Sequence, residues 1–292
     1  MNYVHGSNLD QKENHNTKYL DSTSKTYLAE IRKKYDQWKI DNLALKGPLS
    51  LSSDQSGDAS MISQRVKLLN EYKNFLDQQH YAEKFDSRSN LHSSVLEEFL
   101  LYLFKDVVKE ISADALIGKC HAFKDIFFRP SNFLTMLEKI ESNVEKKDHD
   151  FAIGVSVQSS LTSEGSQKTE SDQWDIPAVA IECKTYLDKT MLQDASTAAA
   201  QLKQKNPNAM YIVCAEWLKL TDNVNLKKYK IDQIYVLRKQ KNTDREYRYA
   251  ETYDKNPIYC DVVQHLFETV RNHLTIEWEG GVSESLDKGF LL

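Results

Sequence analysis

Apolar residues recur at helical spacing through the first third of the chain. Behind Ser22 and Ser24, either of which can cap a first turn, Tyr27, Ile31, Tyr35 and Trp38 define one face of a helix predicted to run to about Leu45. Gly47-Pro48 stops it, and the Ser/Gly/Asp-rich run from Leu49 to Ser60 is expected to be a loop. A second helix is predicted over Met61–Tyr81, with Val66, Leu69, Tyr72, Phe75 and Leu76 as its apolar face. Residues 1–20 are polar and read as a mobile or partner-bound arm. Residues 1–85 together are therefore expected to be an N-terminal arm and helical region contacting DNA or a partner. Packing against the rest of the chain is the plainer alternative for these helices.

The clearest helix spans Ser93–Ile111. At about 100° per residue, Leu96, Leu100, Leu103, Phe104, Val107 and Val108 form one broad arc. Glu97 falls inside that arc and Glu98 outside it, near Tyr102, Lys105 and Lys109. A carboxylate in an apolar stripe needs a reason. Either Glu97 sits at the core edge in the favourable field of the helix N-terminus, or it belongs to a site.

Period-two patterns take over downstream. Strands are predicted over Cys120–Phe128, from Asp150 through F-A-I-G-V-S-V, over Pro177–Lys184, over Ala209–Ala215 and over Gln233–Arg238. A short helix is predicted near Ser131–Ile140, with further helices over Thr190–Lys205 and Tyr259–Leu274 and a loose tail from Gly280. The polar stretch Gln158–Trp174 reads as a long loop, functional or disordered. The order is αβββαβ, an α/β (α+β) mixed-sheet core over residues 86–292. Its strand–helix–strand unit calls for a parallel crossover.

The strand P-A-V-A-I-E-C-K is the unusual one. Val179, Ile181 and Cys183 share one face; Ala180, Glu182 and Lys184 share the other. The strand opened by Asp150 repeats the theme, with Asp150, Ala152 and Gly154 on one face. Antiparallel pairing of the two puts Asp150 beside Glu182 and Lys184, with small residues clearing space around them. Two carboxylates suit a hard divalent cation such as Mg2+, which takes one or two carboxylates along with water and phosphate oxygens. A nearby lysine can orient a water or stabilise charge on a phosphoryl oxygen. The set fits phosphodiester hydrolysis, with Glu97 as an outer metal ligand. An Asp followed some thirty residues later by E-x-K is common by chance, and a solvated Glu–Lys pair at a strand end is the plain alternative.

Composition narrows the class. Apolar residues make up 40% and charged residues 28% of the 292, as in a soluble globular protein. Phe99–Phe104 and Ala209–Ala215, the longest apolar runs, are too short to span a membrane, and no secretory signal is visible at the N-terminus. Cys120, Cys183, Cys214 and Cys260 are widely spaced, without a C-x-x-C pair, and fit reduced residues of a cytoplasmic protein. The net charge of −5 weighs mildly against bulk electrostatic DNA binding, but only charges within a Debye length, about 8–10 Å, of the phosphates matter. The basic run Arg238, Lys239, Lys241, Arg245, Arg248 is the candidate for DNA contact; a solvated loop is the alternative, since Asp244 and Glu246 intervene.

The helix with Glu97, the Asp150 strand and the E-C-K strand resemble the PD-(D/E)XK nuclease superfamily, with His149 where proline is usual. Four segments, S-V-L-E-E-F-L-L-Y-L-F (94–104), K-D-H-D-F-A-I-G (147–154), P-A-V-A-I-E-C-K-T-Y-L (177–187) and I-D-Q-I-Y-V-L-R (231–238), are similar to BbvCI-type restriction endonuclease subunits, as is V-H-G at Val4–Gly6. The resemblance implies a type II site-specific deoxyribonuclease acting on double-stranded DNA at a near-palindromic, CCTNAGC-like site. It implies a heterodimer of two related subunits, each cutting one strand. Asp150 and Glu182 would hold Mg2+, Lys184 would be the catalytic lysine, and Glu97 would correspond to a helix glutamate of such nucleases. A homodimeric restriction or repair nuclease, and a non-catalytic DNA-binding subunit, are the rival expectations.

Overall fold

The computed structural model describes residues 3–51, 56–85, 90–165, 168–241, 249–278 and 286. Arg245 and Arg248 lie outside these residues, as does the tail expected from Gly280 except Leu286. Among the described residues, eight α-helices and five strands follow in the order α1 (Val4–Glu13), α2 (Ser22–Ala44), α3 (Ser56–Leu76), α4 (Gln79–Lys84), α5 (Ser93–Ile111), β1 (Leu116–Phe128), α6 (Phe133–Glu138), β2 (Ser142–Thr162), β3 (Thr169–Leu187), α7 (Lys189–Lys205), β4 (Met210–Leu218), β5 (Gln233–Val236) and α8 (Cys260–Thr275).

The strands form one mixed sheet in the order β1-β2-β3-β4-β5. β1–β2 and β2–β3 pair antiparallel; β3–β4 and β4–β5 pair parallel. The expected αβββαβ order is therefore present, running from α5 to β4. Alternation along the central strands sends Phe151, Ile153, Val179, Ile181, Cys183, Ile212 and Cys214 into a core shared with α5 and α8. The opposite face, including Ala180, Tyr211, Val213 and Ala215, packs on α7 through Leu192, Ala195, Ala199 and Leu202. Asp188 starts α7 by accepting a hydrogen bond from the Met191 N–H at 2.9 Å.

Residues 1–20 depart from the expected arm. Val4–Glu13 is a helix whose His5 and Leu9 are fully buried. Leu9, Leu28, Ile31, Tyr35, Trp38, Leu69 and Tyr72 join the same core as α5 and the sheet, so one continuous core crosses the boundary drawn at residue 85. The polarity of the segment misled because the residues that seat this helix, His5, Gly6, Leu9 and Lys12, include only one large apolar side chain.

The loop expected over Gln158–Trp174 is instead the outer half of a β-hairpin. β2 and β3 stay in register from Gly154↔Pro177 to Thr162↔Thr169. Burial alternates along this arm, with Val157, Ser159 and Leu161 on β2 and Glu170, Asp172 and Trp174 on β3 half-buried and their neighbours exposed, but Ser159, Glu170 and Asp172 fill half of the covered positions, so the period does not show as hydrophobicity. Cross-strand hydroxyl pairs, Ser160 with Ser171 and Thr162 with Thr169, replace hydrophobic contacts. At the base of the arm the Asp175 carboxylate accepts from the His121 N–H (2.8 Å) and the Ser156 hydroxyl (2.7 Å).

An ion network ties α3 to the sheet. Lys73, Asp77, Glu216 and Arg238 are buried without solvent contact at their side chains. Arg238 donates to Glu216 Oε2 at 3.1 Å from both Nε and Nη2, and to the Asn256 carbonyl at 2.7 Å. Lys73 Nζ is 2.8 Å from Glu216 Oε1, and Lys255 is 3.2 Å from Asp77. Burial would raise the Asp77 carboxyl, but Lys73, His92 and Lys255 outweigh it and hold it well below the usual carboxylate range.

Candidate active site

β2, already paired with β1, reaches Asp150 just before its pairing with β3 begins, and β3 reaches the same level at Glu182, one step beyond the Phe151↔Ile181 pair. Asp150 Oδ2 accepts a hydrogen bond from the Cys183 backbone N–H at 2.9 Å, which fixes this carboxylate to the middle of the E-C-K triplet. Lys184 Nζ donates to Glu182 Oε1 at 2.6 Å and lies 3.6 Å from Asp150 Oδ2. The three side chains expected to converge do converge, at the wall of an open cleft of about 810 Å³.

Glu97, in the first turns of α5, lines the same cleft, and among the described residues its carboxylate makes no hydrogen bond or ion pair. Burial, reinforced by the Asp150 charge, pushes its carboxyl up to about 8. Asp150 is raised as well, by burial and then by Glu182. Burial works against a charged Lys184, but the two carboxylates outweigh it and keep the ammonium. The site thus holds more negative charge than one lysine compensates. Among the described residues no group of three or more His, Cys, Asp and Glu side chains forms a ready metal cage. The donor set nevertheless fits Mg2+, which needs only one or two carboxylates beside water and substrate oxygens, and a cation would relieve the repulsion that raises Glu97 and Asp150.

The small residues beside the cluster do not clear space for a ligand. Ala152 and Ala180 are fully buried, Ala152 against Cys120 and Ala122, Ala180 among the residues under α7. A Cβ at Gly154 would stand 2.2 Å from the Ile176 carbonyl oxygen, so Gly154 serves the close approach of β3. The room comes from the divergence of α5 and α7 around the strand ends: Glu97 lines one side of the cleft, Met191, Asp194 and Ala198 the other.

Four residues of the cleft escaped the sequence pattern. Tyr211 on β4 donates its hydroxyl to Glu182 Oε2 at 3.4 Å, and the buried His149 ring meets the Tyr211 ring edge-on. Parallel pairing of β3 and β4 places Tyr211 opposite Ala180, so a tyrosine in the apolar A-M-Y-I-V-C-A run was the available signal. Lys119 and Lys147 line the cleft, are exposed, and have no hydrogen-bond or ion-pair partner among the described residues. Lys119 follows Gly118, at φ +118, inside a register shift of β1 that no periodicity reveals. Asn8 comes from α1.

Arg238 requires a correction. It is fully buried in the ion network and cannot meet a phosphate where it stands. Its position at the end of a strand, opening a basic run, suggested a surface that β4 and α3 in fact cover. Lys239 and Lys241 are exposed and paired with Asp261 and Asp222.

Comparison with known proteins agrees with this architecture. A family model described as Bpu10I restriction endonuclease matches residues 88–291. Among solved structures, a chain of "native BbvCI A2B2 tetramer at low resolution" superposes with a TM-score of 0.65 at 19% identity, covering 94% of this chain and 97% of that one. No curated protein sequence matches. Among the described residues no helix is long and apolar enough to cross a membrane.

Proposed function

The chain belongs to the Bpu10I restriction endonuclease family, and from that premise we propose that it is a catalytic subunit of a type II enzyme that hydrolyses DNA phosphodiester bonds at a specific near-palindromic, CCTNAGC-like site. The observation that carries this reading is the meeting of Asp150, Glu182 and Lys184 in one open cleft.

Asp150 and Glu182 would hold Mg2+, with Glu97 as an outer ligand. Bound there, the cation would supply Lewis-acid polarisation of a phosphoryl oxygen and charge neutralisation. The protein supplies the rest. The Cys183 N–H holds Asp150 in place, and Tyr211 steadies Glu182 from behind. Lys184 Nζ, kept protonated by its two carboxylate neighbours, donates a hydrogen bond to charge developing on the scissile phosphate. Lys119 and Lys147, without partners among the described residues, are better placed for the DNA backbone than the run after Arg238, and Lys239 and Lys241 are secondary candidates.

One such cleft cuts one strand, so a duplex break needs a second. The BbvCI protein named above is an A2B2 tetramer, and a related second subunit is the partner we propose, each subunit cutting one strand. A cytoplasmic location fits the free state of all four cysteines. The test is supercoiled plasmid incubated with Mg2+ and the chain, with and without the co-expressed neighbouring subunit. Nicked or linear DNA that disappears in chelator is expected. Linear product from this chain alone would favour a homodimer, and no cleavage with any divalent metal or partner would contradict the reading.

A further inference from the structure

Glu98 neighbours Glu97 in sequence, yet it turns into the N-terminal helices. It is fully buried. Its Oε2 accepts from the backbone N–H groups of His5 (2.9 Å) and Gly6 (3.1 Å), and its Oε1 from the hydroxyls of Tyr35 (3.0 Å) and Tyr102 (2.7 Å). His5 and Gly6 lie in the first turn of α1, whose own N-cap residue, Tyr3, makes no side-chain cap. A carboxylate of α5 thus caps a helix from more than ninety residues away. The His5 ring is gripped at both nitrogens, by the Ser94 hydroxyl at 2.9 Å and the Tyr72 hydroxyl at 2.6 Å. Gly6 admits no side chain, since a Cβ there would stand 2.3 Å from the Tyr35 hydroxyl oxygen. Every inward position of this turn is specified.

Such a clamp fixes direction as well as attachment. With His5, Leu9 and Lys12 turned inward, Val4 and Asn8, four apart, share the adjoining face. Both line the cleft that holds Glu97, Asp150, Glu182 and Lys184. Asn8 is half-buried, and its side chain makes no hydrogen bond among the described residues. Asn90, held at φ +57, and Ser93 continue the same wall.

We propose that α1 is the wall of the catalytic cleft that grips the DNA backbone: the Asn8 amide donates to a phosphate next to the scissile one, and Glu98 is the positioning residue that aims it. This rests on the nuclease reading above. A neutral amide meets a phosphate without repulsion, and phosphate contacts are what set register on a duplex.

The test titrates the full-length protein, in metal-free buffer, against a labelled mixed-sequence duplex by fluorescence anisotropy at several salt concentrations. Asn8→Ala should weaken binding about tenfold, the order expected for one hydrogen bond to a charged group. Asn8→Asp should weaken it further. Asn8→Lys should restore binding and steepen the salt dependence by about 0.9 in log–log slope, the signature of one added phosphate contact. Glu98→Gln should weaken binding like Asn8→Ala, and the double variant should lose nothing more, because both remove one interaction. A protein that binds duplex while Asn8→Asp leaves affinity unchanged, or Asn8→Lys leaves the slope unchanged, would overturn the role of α1 and spare the nuclease reading. Failure to bind duplex at all, with the partner subunit present as well as without it, would overturn both.

Discussion

Asp150 on β2 accepts its hydrogen bond from the backbone N–H of Cys183 on β3, at 2.9 Å. The residue between the two site side chains of β3 therefore holds the third in place. An amide oxygen can accept the same bond, so Asp150→Asn should keep the fold. It also removes a partly buried carboxylate whose charge, after burial, raises Glu97 and which itself stands against Glu182. The metal-free variant is expected to melt at the same temperature as the wild type or higher, while cleavage is lost; differential scanning calorimetry beside a plasmid assay checks both. Functional sites commonly store such repulsion at the expense of stability.

Arg238 should behave as a structural residue. Replacing it with Met leaves Glu216 and Asp77 buried with fewer cations, a change that typically costs about 3–5 kcal/mol. Urea denaturation should show that loss. Lys241→Ala, at an exposed pair with Asp222, should shift the midpoint very little.

Gly154→Ala sets a side chain against the Ile176 backbone, with a Cβ to oxygen approach of 2.2 Å. The strands must part, at a cost of about 1–3 kcal/mol. The denaturation midpoint measures it, and an unchanged midpoint would mean that the hairpin base yields freely.

Burial, and then the charges of Lys73, His92, Lys12 and Arg32, hold the His5 imidazole well below the usual histidine range. His5 stays neutral in the folded chain, whereas the unfolded chain protonates below about pH 6.5. The unfolded state therefore binds more protons as pH falls. The stability from His5 is present above about pH 6.5 and is lost below it, by at most about 1.4 kcal/mol per pH unit. His92 and His149 are lowered by burial too and act in the same direction. His5→Gln should make stability less steep in pH between about 6.5 and 5, as read from urea midpoints at a series of pH values.

The parts of the structure legible in the sequence were those whose two faces differ in residue type. α5 carries one broad apolar arc, and the inner halves of β2 and β3 send large apolar side chains to one face and small or charged ones to the other. The meeting of Asp150, Glu182 and Lys184 follows from period two and antiparallel pairing alone. The outer hairpin fills half of its more covered positions with Ser159, Glu170 and Asp172, so its period does not show as hydrophobicity. Glu98 looked solvent-facing on an isolated helix, since the side it occupies is covered by α1, an element whose own signal is weak. Arg238 looked like a surface cation for a related reason: its counter-charges, Asp77 and Glu216, come from distant stretches. Lys119 depends on a register shift at Gly118 that only three-dimensional pairing discloses.

The central claim is that this chain cuts DNA with the cluster at Asp150, Glu182 and Lys184. Lys184→Ala, assayed in the complex with the partner subunit on supercoiled plasmid with Mg2+, tests it most directly. Duplex binding close to wild type is expected, with a product that stops at open-circle DNA, one strand uncut. Full conversion to linear DNA by the Lys184→Ala complex would contradict it.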